Sequence, residues 1–297
     1  MLVHLTSKVA NKLDLLQGIQ SQHALLLLTR CIQMELRHLQ RCLRTDDILE
    51  EWEGLDTALM RQVQLLRGSP RDSFLDEWII GLPVRYGGMG IPMHRNIAPL
   101  AYSTMSDFTQ AILQPIFDPV YAADTERERQ PEPQRQRVAK LYEEQYKKHL
   151  DLTRDQQYVL LDNQSKFGKA WLTTIPYNKS LKLSNAEISA GLHFRTLCPG
   201  QAETCTSCGL SNTLGHDDVC QSRPNLRRAR HEHIKHLLLK HLSSVPNNTI
   251  TPEPATKTSL KRTDFRIGGC CSKVGGVSEY DLTIIAPTAD YKGSRKD

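Results

Sequence analysis

Four residues between positions 205 and 220 have the chemistry of soft-metal ligands. In "CTSCGLSNTLGHDDVC", Cys205 and Cys208 stand two residues apart, His216 follows after seven more, and Cys220 after a further three. Two thiolates at C-x2-C spacing reach one tetrahedral ion, and a distal His–Cys pair closes the shell. Four protein ligands leave no position for water or substrate, so the Zn²⁺ expected here is structural rather than catalytic. Gly215 eases the turn before His216, and Cys198 is a spare ligand. The alternative is a chance grouping of reduced thiols. The chain has eight cysteines, and its start, "MLVHLTSKVANKLDLL", does not match a secretory signal. A disulfide framework is therefore not expected, and clustered Cys and His read as metal ligands in a reducing compartment. Cys31 and Cys42 fall in a helical pattern and are expected to fill core space.

Hard-metal chemistry has a second set of candidates. Asp264 and Asp281, with Glu253 as an addition, lie in or beside short β-rich runs near the C-terminus. Carboxylates on neighbouring strands can hold Mg²⁺, which polarises a phosphate and activates water. The competing reading is two solvated or capping aspartates. Between the two sets runs "RPNLRRARHEHIKHLLLKH", residues 223–241, where Glu232 is the sole acid among Arg223, Arg227, Arg228, Arg230, Lys235 and Lys240. On one helix this is a phosphate-facing surface, and its histidines His231, His233, His236 and His241 add charge when protonated.

The elements that must position these residues are mostly helical. Residues 8–44 carry two apolar stripes: Leu13, Leu16, Ala24, Leu27, Cys31, Met34, and Leu25, Leu28, Ile32, Leu36, Leu39. They predict one or two buried helices, with Gly18 as a break. "TDDILEEW" starts the next helix, capped by Thr45 or Asp46. "GLPVRYGGMGIP", residues 81–92, matches neither phosphate-loop spacing, so its glycines are read as turn formers. Residues 124–137 form a polar linker, and a helix follows with Val138, Leu141, Tyr142, Tyr146 and Leu150 on one face. Residues 181–200 hold a helix capped by Ser184 or Asn185, with Glu187 in its first turn and "CPG" as its stop. The basic helix covers 226–242, with Ile234, Leu237, Leu238 and Leu242 as its apolar stripe. Residues 243–259 read as loop, and "KRTDFRIGG" and "SEYDLTIIAP" as a hairpin or two adjacent strands of a small sheet. The fold class is thus α+β: a mainly helical N-terminal two-thirds, a zinc knuckle, and a small C-terminal α/β segment. A net charge of +5 permits nucleic-acid binding. No apolar run reaches the roughly eighteen residues of a membrane span.

The ordered set "GLPVRYGGMGIP", "AWLTTIPYNKSLKLSNAEISAGLHFR", the Cys-Cys-His-Cys knuckle, "RRARHEHI" and "DFRI…YDLTIIAPT" resembles the C-terminal part of reverse transcriptases of non-LTR retrotransposons. The subgroup it is most similar to carries a restriction-like endonuclease. The resemblance implies a helical thumb at 1–70, a Gly-rich loop and helical linker at 71–123, the polar linker at 124–137, further helical linker at 138–200, the knuckle at 201–222, and part of the endonuclease at 223–297. The palm signature Ala-Asp-Asp is not in the sequence, so the resemblance implies a fragment that starts after the polymerase centre. Its knuckle ligands fall on Cys205, Cys208, His216 and Cys220, with three residues in the last gap where the family usually has four. Its basic-His-Asn motif falls on Arg230 and His231, with Glu232 for the asparagine; Asp264 keeps the acid of a Pro-Asp pair whose proline is Thr263; Asp281 is the second acid. The implied catalytic set is therefore Asp264, Asp281 and His231, with Mg²⁺ bound if the site is complete. A lysine is expected downstream, for which Lys292 and Lys296 are the candidates, and Thr283 stands where Asp-x-Lys would put it. Arg227, Arg228, Arg230 and Lys235 would contact DNA or RNA in the nucleus. The alternatives are a non-catalytic nucleic-acid-binding remnant and an unrelated zinc adaptor that binds protein. Whether the chain is an enzyme, and its oligomeric state, are left open at this stage.

Overall fold

A computed structural model describes residues 2–69, 74–117, 131–198, 204–210, 214, 216, 220, 222–254, 263–269 and 276–282. The chain divides into two compact units, residues 1–201 and 202–297. The first is helical; the second joins a long helix to a three-stranded antiparallel sheet. The α+β class expected from the sequence is the class observed.

In the first unit α1 (Leu2–Leu15) runs into a single 3₁₀ turn ending at Gly18, and α2 (Ser21–Arg30) is followed by another, then by the short α3 (Leu39–Cys42). The chain thus breaks at Gly18 as expected, and breaks again after Arg30. Each break turns the helix, so the two apolar stripes fare differently. Leu25, Leu28, Ile32, Leu36 and Leu39 are all buried, whereas the other stripe leaves the core after Ala24, with Leu27, Met34 and Cys31 exposed. Cys42 is exposed as well. Neither cysteine is the core filler its helical phase suggested.

Helix α4 (Leu49–Arg67) begins later than expected, with Ile48 at its N-cap and no side-chain cap. Thr45 is instead buried in the turn before it. Gly68 ends the helix in the left-handed region, at φ +75°, where an L side chain is strained. Helix α5 (Phe74–Gly81) then leads into the glycine loop and α6 (His94–Phe117). The buried Asp56 of α4 sets the start of α6: its carboxylate accepts from the backbone N–H groups of His94 (2.6 Å) and Arg95 (3.0 Å). Its Oδ1 also lies 2.9 Å from His94 Nδ1, and the imidazole stacks on Trp52.

Helix α7 (Gln134–Lys147) starts inside the segment read as polar linker; residues 118–130 lie outside the described residues. Helices α8 (Arg154–Gln164), α9 (Lys166–Ala170) and α10 (Asn185–Arg195) complete the unit. Ser184 caps α10 through a capping box with Glu187, as the sequence predicts. The Ser184 N–H, and then its hydroxyl, hold the Glu187 carboxyl below its ordinary range. Ser184→Ala should destabilise this unit by about 1 kcal/mol; a chemical denaturation midpoint equal to that of the parent chain would show that the cap is not needed.

The N-terminal helices and the 174–196 segment share one core. Gln22 is buried; its Nε2 donates to Leu181 O (3.0 Å), and its Oε1 accepts from Leu183 N (2.9 Å). Ser21 N donates to Asn185 Oδ1 at 3.0 Å. The division into a 1–70 region and a 138–200 region is therefore one of sequence order, not of separate cores. At the centre of the unit the Arg67 guanidinium forms a bidentate pair with Asp76, at 2.7 and 2.8 Å, and donates to Thr196 Oγ1 at 2.7 Å. Burial works against the charge on Arg67, but the Asp76 carboxylate outweighs it and raises the pKa.

The glycine loop is closed by packing. The N–H groups of residues 87–91 all donate to carbonyls of 79–84, which leaves none to cradle a phosphate. A Cβ on Gly88 would sit 2.0 Å from Leu82 O, so only glycine fits. Arg195 reaches in from the end of α10 and is fully buried. Its guanidinium donates to Gly88 O (2.6 and 3.0 Å), Val84 O (3.1 Å) and Asn163 O. Burial pulls its pKa down to about 10, so it is still charged at neutral pH and the carbonyl dipoles take the place of a carboxylate.

In the second unit α11 (Pro224–Ser243) carries Pro at its first turn, where the missing N–H costs nothing. Strands β1 (Asn248–Pro252), β2 (Phe265–Gly269) and β3 (Val277–Tyr280) form a sheet in the order β1-β2-β3. The β2–β3 pairing is the expected hairpin, with Phe265 opposite Tyr280. β1 was read as loop. It is a short edge strand with Ile250 as its one aliphatic residue and Pro252 at its end, so it lacks the repeated alternation that marks a half-buried strand. Among the described residues no helix is long and apolar enough to cross a membrane.

Candidate metal centre

The knuckle is built by two tight turns. Cys205 N donates to Leu210 O (2.7 Å) and Gly209 N to Cys205 O (2.8 Å). Gly209 lies at φ +72°, a conformation that favours glycine. This bend turns Cys205 and Cys208 toward the same point. On the other side Cys220 N donates to His216 O at 2.8 Å, a bond that draws the second pair together. Gly215 lies outside the described residues.

The four ligand atoms of Cys205, Cys208, His216 and Cys220 all lie within 4.8 Å of one another. Cys205 Sγ is 3.8 Å from Cys220 Sγ, and Cys208 Sγ is 3.2 Å from His216 Nε2. A tetrahedral ion about 2.3 Å from each sulfur separates the sulfurs by about 3.8 Å, the spacing of Cys205 and Cys220, so the group could hold one metal ion. A disulfide would require about 2.05 Å between the sulfurs. Electrostatics favours a cation at this point. The N–H groups of Ser207 and Cys208 pull the Cys205 thiol down to about 6. Cys208 is shifted the other way: the Leu210 N–H works to lower it, but burial and the neighbouring thiols of Cys205 and Cys220 raise it. One thiolate thus opposes the next until a cation neutralises both. Cys198, the spare ligand, is not a member of this group.

Arg223 ties the knuckle to the helix that follows. Its guanidinium donates to Ser207 Oγ (2.6 Å) and Thr206 Oγ1 (2.9 Å), and α11 starts at the next residue. On α11 the expected phosphate contacts separate. Arg228 is exposed and Arg230 half-buried; the Arg227 side chain lies outside the described residues. Lys235 does not fit the role given to it. It is buried, and its ammonium is held by Glu232 (2.9 Å) and Glu253 (2.8 Å), contacts that raise its pKa, Glu232 most. The apolar stripe is also displaced: Leu237 and Leu238 are exposed, while Lys235, the half-buried His231 and the carbonyl of Leu242 make polar contacts to the sheet region. The other three histidines, His233, His236 and His241, are exposed.

His231 and Asp264 are brought together. His231 Nε2 is 3.3 Å from Asp264 Oδ2 and 3.1 Å from Leu282 O. Both neighbours are acceptors, so Nε2 carries the proton. Asp264 Oδ2 also accepts from Leu282 N at 2.7 Å. Asp281 sits in the segment that closes round Asp264, with its own side chain exposed. Among the described residues, the knuckle is the one group of three or more potential ligands drawn to a point; Asp264, Asp281 and Glu253 do not form a second. Cys270, Cys271, Thr283, Lys292 and Lys296 lie outside the described residues.

No protein-family model, curated protein or solved structure matches the chain.

Proposed function

We propose that the chain binds nucleic acid through a zinc-stabilised knuckle and the basic helix behind it, as the post-palm region of a non-LTR retrotransposon reverse transcriptase. The observation that carries this reading is the convergence of Cys205, Cys208, His216 and Cys220. Three thiols and an imidazole suit Zn²⁺, a borderline-soft ion, far better than Mg²⁺. The metal would supply a cross-link and no reactive water, since all four positions are filled by protein. Through Arg223 the knuckle would orient the start of α11, and the arginines there would meet phosphates. The family assignment rests on the sequence resemblance, and the nucleus as its location follows from that assignment.

The reading claims binding, not cleavage. The His231–Asp264 contact brings two residues of the expected nuclease set together, but Asp264 is engaged by Leu282 N and His231, and no third ligand joins it to Asp281 among the described residues. This favours a non-catalytic nucleic-acid binder over a working Mg²⁺ nuclease.

Salt dependence tests the proposal. Duplex affinity measured from low to moderate salt should fall steeply. Replacing Arg227, Arg228 and Arg230 by alanine should flatten the slope of log affinity against log salt by roughly 0.9 per lost phosphate contact. Binding that ignores salt, or a slope unchanged in the triple variant, would leave the zinc adaptor for protein partners as the better reading.

A further inference from the structure

The first unit has a basic cleft that no part of the proposed function uses. A cavity of about 560 Å³ opens between α3, the glycine loop and α7, and it is lined by Arg37, Arg41, Arg85 and Arg135 over a floor that includes Pro83 and Tyr142. Its size suits a small organic ligand. Arg135, Val138, Ala139 and Tyr142 follow one another at helical spacing, so one face of α7 forms one wall.

What these arginines are held by decides what the cleft is for. Among the described residues none of the four is paired with a carboxylate. Arg41 Nε donates to the side-chain carbonyl of Gln134 at 3.1 Å. The Arg85 guanidinium lies 4.8 Å from the centre of the Tyr86 ring, and Tyr86 stacks on Tyr146. Two cations are therefore positioned by neutral partners, which fix the side chain without cancelling its charge. The ordinary fate of surface arginines is an acidic neighbour or free solvation. All four are exposed, so solvent screens part of their mutual repulsion, and an anion bound among them would relieve the rest. The N-terminal end of α7 adds its partial positive charge at the same place. Burial pushes the Tyr142 hydroxyl up to about 12, against the opposing pull of Arg37 and Arg85, so no phenolate forms there to neutralise the cleft.

The shape adds an aromatic requirement. On the far side of Arg41 and Gln134, which line both, lies a second cavity of about 330 Å³, walled by Met105, Phe108 and Ala101. A ligand that displaced the Arg41–Gln134 contact and reached both would have a phosphate at one end and a flat, weakly polar body at the other. We infer that the cleft between α3, the glycine loop and α7 binds a nucleotide unit, its phosphate among Arg37, Arg41, Arg85 and Arg135 and its base toward Phe108. Planar guanidinium groups match phosphate oxygens in bidentate fashion, and bases stack on apolar and aromatic side chains. The inference stands on the first unit alone and does not depend on the zinc knuckle or the basic helix.

The test uses the full chain and a fluorescent adenine nucleotide, with binding followed by anisotropy. The expected result is saturable binding that weakens at least tenfold in Arg85→Glu/Arg135→Glu, two exposed positions whose change leaves the core untouched. The milder Arg85→Gln/Arg135→Gln pair should weaken it less, and an unchanged melting temperature shows that the fold is kept. Inorganic pyrophosphate should compete weakly. Competition by AMP alone would mark a free nucleotide as the ligand; tenfold stronger competition by a single-stranded hexanucleotide would mark a strand, and either supports the site. Equal binding by the parent and both variants overturns the inference, as does pyrophosphate competing as well as AMP. Unchanged duplex binding in the basic-helix variant, with nucleotide binding to the cleft intact, would speak against that helix and not against this cleft; helix-dependent duplex binding with no nucleotide binding would speak against the cleft and not against the helix.

Discussion

Replacing Cys208 by alanine should empty the chain of stoichiometric zinc. The parent protein, reconstituted after chelation, is expected to hold one ion. The magnitude follows from the ligand set. Structural zinc sites of this type contribute roughly 10–16 kcal/mol of apparent binding free energy near neutral pH, and losing one of four ligands removes a bond and opens the shell to water. The effect should also be local. The knuckle is held by two turns and by Arg223, with few apolar residues to stabilise it otherwise. Hydrogen exchange at 205–210 should therefore accelerate sharply on chelation, while α4 and α10 in the first unit keep their protection. A Cys208→Ala chain that retains a full equivalent of zinc by elemental analysis would refute the assignment of these four ligands.

The second large effect is expected at the centre of the first unit. Arg67→Met should destabilise it by about 3–5 kcal/mol, because the substitution leaves Asp76 buried without its counter-charge. The two side chains are 0% and 4% exposed, so solvent cannot take over. Methionine also forfeits the bond to Thr196, which ties α4 to the end of α10. The informative comparison is the double variant Arg67→Met/Asp76→Leu. Removing both charges abolishes the desolvation penalty, and buried ion pairs are often replaceable by apolar side chains at little cost. The double variant should recover a large part of the lost stability in denaturant titrations. If instead it is as unstable as the sum of the two single variants, the charges are uncoupled and the geometry has another cause.

Local chemistry was readable in the sequence, and long-range chemistry was not. The Ser184–Glu187 capping box lies within four residues, and its pattern announces it. The knuckle spans sixteen positions and its spacing dictates convergence. The stripe from Leu25 to Leu39 stayed in phase because the helix breaks within it are short. Cys31 and Cys42 defeated the same reasoning, since two 3₁₀ turns rotate the chain between the stripes. Lys235 looked like a phosphate ligand because Glu253, its second partner, is placed by the strand that ends just before it at Pro252, a strand that the sequence hid among threonines and a proline. Arg67, Arg195 and the arginines of the cleft carry no local signal. Arg195 and Arg41 meet partners tens of residues away, Arg67 meets Asp76 across nine residues, and an arginine reads alike in sequence whether it meets a carboxylate, a carbonyl or open solvent.

The Arg195 clamp also has a consequence in time. The carbonyls of Val84 and Gly88 are synthesised more than a hundred residues before the guanidinium that satisfies them; the Arg195–Gly88 separation is 107 residues, and the Gln22–Leu183 bond spans 161. Closing loops of that length costs chain entropy that no single helix recovers. A nascent chain that has just passed residue 170 can hold its early helices, but the glycine loop must still be solvated and one wall of the core is missing. The unit thus comes together from segments far apart in the chain, and its assembly is gated by α10, the last of its own helices to leave the ribosome.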